Sequence, residues 1–256
     1  NHRHLINIIE CLIGGLILSR HKKMYINKDS LVKIEPVGPA QEKAFKAYEE
    51  GKNLFLSGSA GTGKTFILLH LAFKEVLDKN SQYDKVVLVR SLLPSRDIGY
   101  LPGTLEEKSL LYQDPYRILV RYLFEMPNEQ EFVTLYDKLA GQGSLEFYST
   151  SFLRGQTFDR SIIIVDEASN LLFQELDTIM TRVGQNSKIM FAGDMAQSDL
   201  RKHNGDRDGY HNFLAILEEM KEFEVVEFGI GDIIRSGLVR SYLIAKTNIG
   251  IKTDNA

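Results

Sequence analysis

Apolar residues in this chain gather into short, nearly unbroken runs rather than strict alternation. Such runs mark strands buried on both faces, as in a parallel sheet covered by helices. The runs are residues 53–57 (NLFLS), 85–90 (KVVLVR), 161–166 (SIIIVD), 188–192 (KIMFA) and 224–228 (EVVEF), with 145–149 (LEFYS) a weaker sixth. Between them, apolar positions recur at helical spacing. Residues 64–77 carry Ile67, Leu68, Leu71, Ala72 and Leu77 on one face, and residues 174–183 and 213–221 behave alike. Strands alternating with helices predict βαβ units with right-handed crossovers, and so an α/β fold with a mostly parallel three-layer α/β/α sheet. Pro94, Pro102 and Pro115, three of the six prolines, fall within residues 90–117. That stretch reads as a long ordered excursion from the sheet, either surface decoration or a functional loop.

Composition narrows the class. The chain is 43% hydrophobic and 25% charged, enough apolar material for a sizeable core. Cys11 is the single cysteine, which excludes an intrachain disulfide and fits a reducing, cytoplasmic setting. A net charge of −3 excludes a uniformly basic face for duplex DNA but not a local basic groove. The first residue is Asn1, and residues 5–18 form an apolar run ahead of the basic cluster Arg20, His21, Lys22 and Lys23. The run falls short of the roughly 20 residues a membrane span needs. Asn7, Glu10, Gly14 and Gly15 interrupt it, and its basic residues follow it rather than lead it, against a secretory signal. Residues 1–23 are therefore expected to be an extension, a peripheral helix or translated upstream sequence, with Met24 a natural start. His2 and His4 fit a solvated terminus. Residues 24–256 are expected to form one domain that does not enter a membrane.

Gly58-Ser59-Ala60-Gly61-Thr62-Gly63-Lys64-Thr65 matches G-x-x-x-x-G-K-[ST], between a predicted strand and a predicted helix. Glycines let backbone wrap closely around phosphate oxygens, and the N–H groups of the loop and helix N-terminus supply positive potential. Lys64 reaches the β- and γ-phosphates in such loops, and the Thr65 hydroxyl ligates Mg²⁺. The run Ile162-Ile163-Ile164-Val165 ends in Asp166 and Glu167. Asp166 at a strand end suits Mg²⁺, and Glu167 suits a general base that activates water. A base for water favours hydrolysis over kinase chemistry, which must exclude water. Asp194 and Gln197 follow the next strand and are candidates to sense the γ-phosphate or the attacking water; a simple Gly-Asp turn is their alternative. Arg235 is a candidate arginine finger or a surface arginine. Gln41, 17 residues before Gly58, is a candidate adenine reader or part of a solvated helix face.

Together these segments resemble the PhoH-like family, P-loop ATPases related to the first core of superfamily 1 helicases. The resemblance spans roughly residues 41–245. It rests on 58–65 (GSAGTGKT), 99–108 (GYLPGTLEEK), 152–158 (FLRGQTF), 163–170 (IIVDEASN), 193–200 (GDMAQSDL) and 232–239 (DIIRSGLV). The variants at residues 96–99 (RDIG) and 236–238 (SGL) are most similar to bacteriophage members. The resemblance implies a RecA-like sheet with the Asp194 strand between the phosphate-loop strand and the Asp166 strand. It implies Mg²⁺-ATP as ligand, ATP hydrolysis coupled to RNA or single-stranded DNA, and Arg235 as the C-terminal motif arginine. It makes Arg154 a candidate contact, and gives Gln41 a loose match to an adenine-reading glutamine. Ser169 replaces a frequent Gln, and its shorter reach weakens the expected coupling of the γ-phosphate to a moving segment. Ser91 follows Arg90 where many members have Pro. The length suits one RecA-like core and no second. A single core implies that Arg235 serves a neighbour's ATP in a homo-oligomeric ring, a hexamer by resemblance. Arg96, Arg117 and Arg121 are the candidate nucleic-acid contacts. The competing reading is an ATP-gated interaction or regulatory protein with little turnover.

Overall fold

The computed structural model describes residues 26–59, 61–91, 105–153, 155–194, 206–234 and 237–248. In chain order the elements are α1 (Pro39–Glu49), β1 (Asn53–Gly58), α2 (Lys64–Val76), β2 (Lys85–Arg90), α3 (Leu105–Leu123), α4 (Glu129–Gly141) and β3 (Leu145–Ser149). They continue as β4 (Ser161–Val165), α5 (Phe173–Met180), β5 (Lys188–Gly193), α6 (Asp206–Glu219), β6 (Phe223–Phe228) and α7 (Gly237–Asn248). The six strands form one sheet in the order β3-β2-β4-β5-β1-β6, every pairing parallel. This is the RecA-like α/β order that the resemblance implies, with β5 between β1 and β4.

The strand period of two divides each run between two cores. Leu54, Leu56, Val86, Leu88, Ile162, Ile164, Met190 and Ala192 face one side, against α1, α2, α3 and α4. Phe55, Val87, Val89, Ile163, Val165, Ile189 and Phe191 face the other, against α5 and α6. Both faces are covered, which is why the strands read as continuous apolar runs. Local signals start the helices. Gly38 and Pro39 open α1, and the Asn128 side chain accepts a hydrogen bond from the Glu131 amide at the head of α4.

Each expected strand lies within a residue of its observed range, but the excursion differs from expectation. From Leu105 it is helical, and α3 runs 19 residues through Pro115. Proline removes one helical hydrogen bond and normally marks a break. The buried residues Tyr116, Val120 and Leu123 lie after it at helical spacing, and their burial outweighs that loss. Residues 92–104 lie outside the described residues, as do 1–25. The helix expected at 213–221 begins earlier, at Asp206. No helix among the described residues is long and apolar enough to cross a membrane.

His70, on α2, is buried, faces Phe45 and lacks a hydrogen-bond partner for Nδ1 among the described residues. Burial, then the charge of Lys74, lowers its pKa to about 4. An unfolded histidine titrates near 6.5, so between these values the unfolded chain binds more protons than the folded one. Stability is therefore full above the unfolded pKa and falls as pH drops towards the folded one. Chemical denaturation across this range should show that decline, and His70→Leu should flatten it. Equal slopes for the two proteins would contradict the assignment.

Candidate functional site

The candidate phosphate loop, residues 58–65, joins β1 to α2. Gly58 ends β1 at φ 145°, and a Cβ there would lie 2.7 Å from Cβ of Phe228 on β6. Only glycine lets the loop leave the sheet this close to the neighbouring strand. Gly63, at φ 81°, turns the chain into α2, whose N-terminus then abuts the loop. Thr62 is buried and its hydroxyl donates to the Ser59 carbonyl at 3.0 Å. Lys64 Nζ lies inside the loop, donating to the carbonyls of Gly58 at 2.6 Å and Ser59 at 2.9 Å. Burial lowers the Lys64 pKa, opposed by the nearby charges of Asp194 and Asp166. A cation inside a loop headed by a helix N-terminus is a fitting cradle for phosphate. Ala60 lies outside the described residues.

The acids enter from β4. Asp166 follows that strand, and its amide donates to the Val89 carbonyl at 3.0 Å. Its Oδ1 accepts from Thr65 Oγ1 and its Oδ2 from the Tyr116 hydroxyl, each at 2.9 Å. Burial raises the Asp166 pKa, and these two hydroxyls counter the rise. Glu167 sits in the left-handed region at φ 54°, unusual for a residue with a side chain. That carboxylate accepts two bonds from Arg90, at 2.6 Å from Nη2 and 3.2 Å from Nε, and one from Asn170 Nδ2 at 3.4 Å. Ser169 follows in a short 3₁₀ turn (Ala168–Asn170), where its Oγ accepts from the Asp194 amide at 3.3 Å. Because β4 and β5 are neighbours, a short hydroxyl suffices to link the two strand ends.

Lys64, Thr65, Arg90, Tyr116, Asp166, Glu167 and Asp194 line one cleft of about 440 Å³. Gln41 is buried rather than solvated, and its Oε1 accepts from the Val37 amide at 3.0 Å. It lines an adjoining cleft with Val37, Gly38, Ile233, Ile234 and Arg240. Ile234 joins the two clefts, donating its amide to the Gly61 carbonyl at 3.2 Å. Gln197, Arg235, Arg154 and Arg96 lie outside the described residues. The expected nucleic-acid contacts Arg117 and Arg121 are engaged within the chain. Arg117 lies 4.6 Å from the ring centroid of Tyr136, and Arg121 pairs with Glu129 at 2.6 Å.

Two residues of the cleft escape the sequence reading. Arg90 is a cation at one strand end beside an acid at the next, a signal present in the sequence once the strands are aligned. Tyr116 follows a proline and carries no signal of its own. The donor set fits a divalent ion held largely by phosphate oxygens. It offers one hydroxyl and one carboxylate side by side, and no group of three acidic or imidazole ligands occurs among the described residues.

A family model described as "PhoH-like protein" matches residues 33–246. "Protein PhoH" of Escherichia coli K12 is 33% identical over 208 residues, covering 80% of this chain and 56% of that protein. "PhoH-like protein" of Mycobacterium tuberculosis H37Rv is 32% identical over the same length and coverage. The chain thus spans little more than half the length of these curated relatives. Among solved structures it is similar to the large terminase of a thermophilic bacteriophage in complex with ADP, at 13% identity and a TM-score of 0.46, covering 81% of this chain and 49% of the terminase. Unliganded Pif1 from Bacteroides sp. is also similar, at 15% identity and a TM-score of 0.38, covering 84% of this chain and 46% of that one.

The Tyr116 hydroxyl stabilises the ionised form of a buried carboxylate. Tyr116→Phe should cost about 1.5–3 kcal/mol of folding stability at neutral pH, the range for a hydrogen bond to a charged group. The same substitution made on Asp166→Ala should cost much less, as measured by urea denaturation of all four proteins. Equal losses in the two backgrounds would show that the bond is unimportant.

Proposed function

This chain belongs to the PhoH-like protein family, and on that premise we propose that it binds Mg²⁺-ATP and hydrolyses it. The observation that carries the proposal is the 2.9 Å hydrogen bond from Thr65 to Asp166, which joins the end of the phosphate loop to the acid-bearing strand end. Lys64 neutralises phosphate charge, and Gly58, Ser59, Ala60, Gly61, Thr62 and Gly63 wrap the phosphates with backbone. Thr65 and Asp166 would hold Mg²⁺, which when bound supplies Lewis-acid stabilisation of the phosphate oxygens. Glu167 takes a proton from water as the water oxygen bonds to the terminal phosphorus and the bond to ADP breaks. Asp194 and Gln197 orient this water or sense the terminal phosphate, and Arg235 stabilises the charge that develops. Gln41 reads adenine: it lines a cleft with Ile234, whose amide bonds the Gly61 carbonyl of the phosphate loop, which supports that role.

The coupling partner is RNA or single-stranded DNA, and the active form is a homo-oligomeric ring; both follow from the family resemblance. The Arg90–Glu167 pair favours a slow basal rate, which keeps the gated-interaction reading as the second choice.

Steady-state ATP hydrolysis should be measured with and without RNA, single-stranded DNA and duplex DNA. Lys64→Ala should abolish both nucleotide binding and turnover. Glu167→Gln should lower turnover by about 10²–10⁴-fold, the usual share of a general base, with nucleotide binding retained. Tight ATP binding without turnover under every condition would overturn the hydrolytic reading in favour of the gated one. Mixing Lys64→Ala with Arg235→Ala subunits should restore activity if the site is shared between neighbours. No recovery, with mixing confirmed, would count against the ring.

A further inference from the structure

The hydrolytic reading leaves the Arg90–Glu167 ion pair without a purpose, and even sets it against the chemistry. A carboxylate that accepts two guanidinium N–H groups has oxygens already committed to donors. It is a poor receiver for a proton from water while that pairing lasts. Arg90 is the last residue of β2, and its side chain is 19% exposed against 46% for that of Glu167. The pair therefore stands at the mouth of the cleft rather than in the core. The same guanidinium lies over the rings of Tyr112 and Tyr116 on α3, at 5.9 and 5.8 Å. It also lines the cleft that contains Lys64 and Thr65.

We propose that Arg90 is a two-position switch that responds to the terminal phosphate of a bound nucleoside triphosphate. In one position it holds Glu167. In the other it moves onto the terminal phosphate and releases Glu167 to accept the proton. The proposal rests on the nucleotide-site reading above and adds to it a residue, a ligand group and a mode of control.

Three features support the exchange. A guanidinium fork matches phosphate oxygens as well as it matches a carboxylate, so one side chain serves both partners. A partly exposed ion pair is held only weakly, so a phosphate of higher charge in the same cleft competes for the cation. The two tyrosine rings give the guanidinium an aromatic surface along which to shift without losing its cation–π contact. Backbone geometry accompanies it: Glu167 sits in the left-handed region, and its carboxylate reaches Arg90 at the end of β2. Glu167 is thus withheld from water until the group to be attacked has arrived, which prevents proton transfer in the absence of substrate.

The test uses affinity, not turnover. Titration calorimetry with ADP and with a non-hydrolysable triphosphate analogue, each with Mg²⁺, compares the native chain with Arg90→Ala, Arg90→Lys, Glu167→Gln and the Arg90→Ala/Glu167→Gln double variant. Arg90→Ala should weaken analogue binding about tenfold, the scale of one charge-assisted contact, and leave ADP within about twofold. Glu167→Gln should tighten the analogue about threefold or more, because the phosphate no longer competes with a carboxylate. That gain should vanish when Arg90 is also replaced. Arg90→Lys, which keeps the charge without the fork, should fall between Arg90→Ala and the native chain. A merely structural Arg90 would lower ADP and analogue affinity alike, and that result, or an unchanged ratio in Arg90→Ala, overturns the switch. Retained ADP affinity reports an intact fold in each variant. If the native chain binds neither nucleotide, the underlying site reading fails instead, and the two failures are thereby distinguished.

Discussion

The parallel pairing of β4, β5 and β1 is the constraint on which the site depends. It aligns three strand ends at one edge of the sheet: Asp166 after β4, Asp194 after β5, and Gly58 at the head of the phosphate loop. No side chain at those ends could be brought together by its own local sequence, since Thr65 and Asp166 stand 101 residues apart. The apolar strand interiors supply the force, because burial on both faces fixes the register of each pair. The polar residues follow from that alignment. Open α/β sheets bind ligands at the carboxyl ends of their strands for this reason.

Charge is then arranged in two layers around the same edge. The inner layer holds Lys64 within the loop and Asp166 beneath two hydroxyls, both shifted by burial towards their neutral forms. The outer layer holds Arg90 on Glu167, nearer to solvent and therefore easier to rearrange. The proposed division between a deep layer that binds and a shallow layer that switches follows this difference in burial. Tyr116 connects the layers, since its hydroxyl contacts Asp166 while its ring lies near Arg90.

Most of the frame is legible in the sequence because its signals are local. Continuous branched runs mark the strands, and the phosphate loop is complete in eight consecutive residues. The parts that escape depend on tertiary packing. Pro115 counts towards an excursion from the sheet, yet burial of Tyr116, Val120 and Leu123 carries α3 through it. Arg117 and Arg121 are candidate nucleic-acid contacts in the sequence, and their intrachain partners, Tyr136 for one and Glu129 for the other, appear only in the fold. Ser169 stands where a longer Gln is frequent, and the bond its hydroxyl accepts from the Asp194 amide is visible only once β4 and β5 are neighbours. In each case the residue type is plain from the sequence and its neighbour is not.

Everything proposed for this chain requires that nucleotide occupy the strand-end cleft between the phosphate loop and Asp166. Hydrogen–deuterium exchange of the full chain, with and without Mg²⁺ and a non-hydrolysable triphosphate analogue, tests this most directly. The analogue should slow exchange in residues 61–66 and 166–170. It should leave exchange unchanged around Tyr48, Asp78 and Lys188, which line a separate pocket. Protection at that separate pocket, or no protection at the phosphate loop under saturating nucleotide, would contradict the assignment.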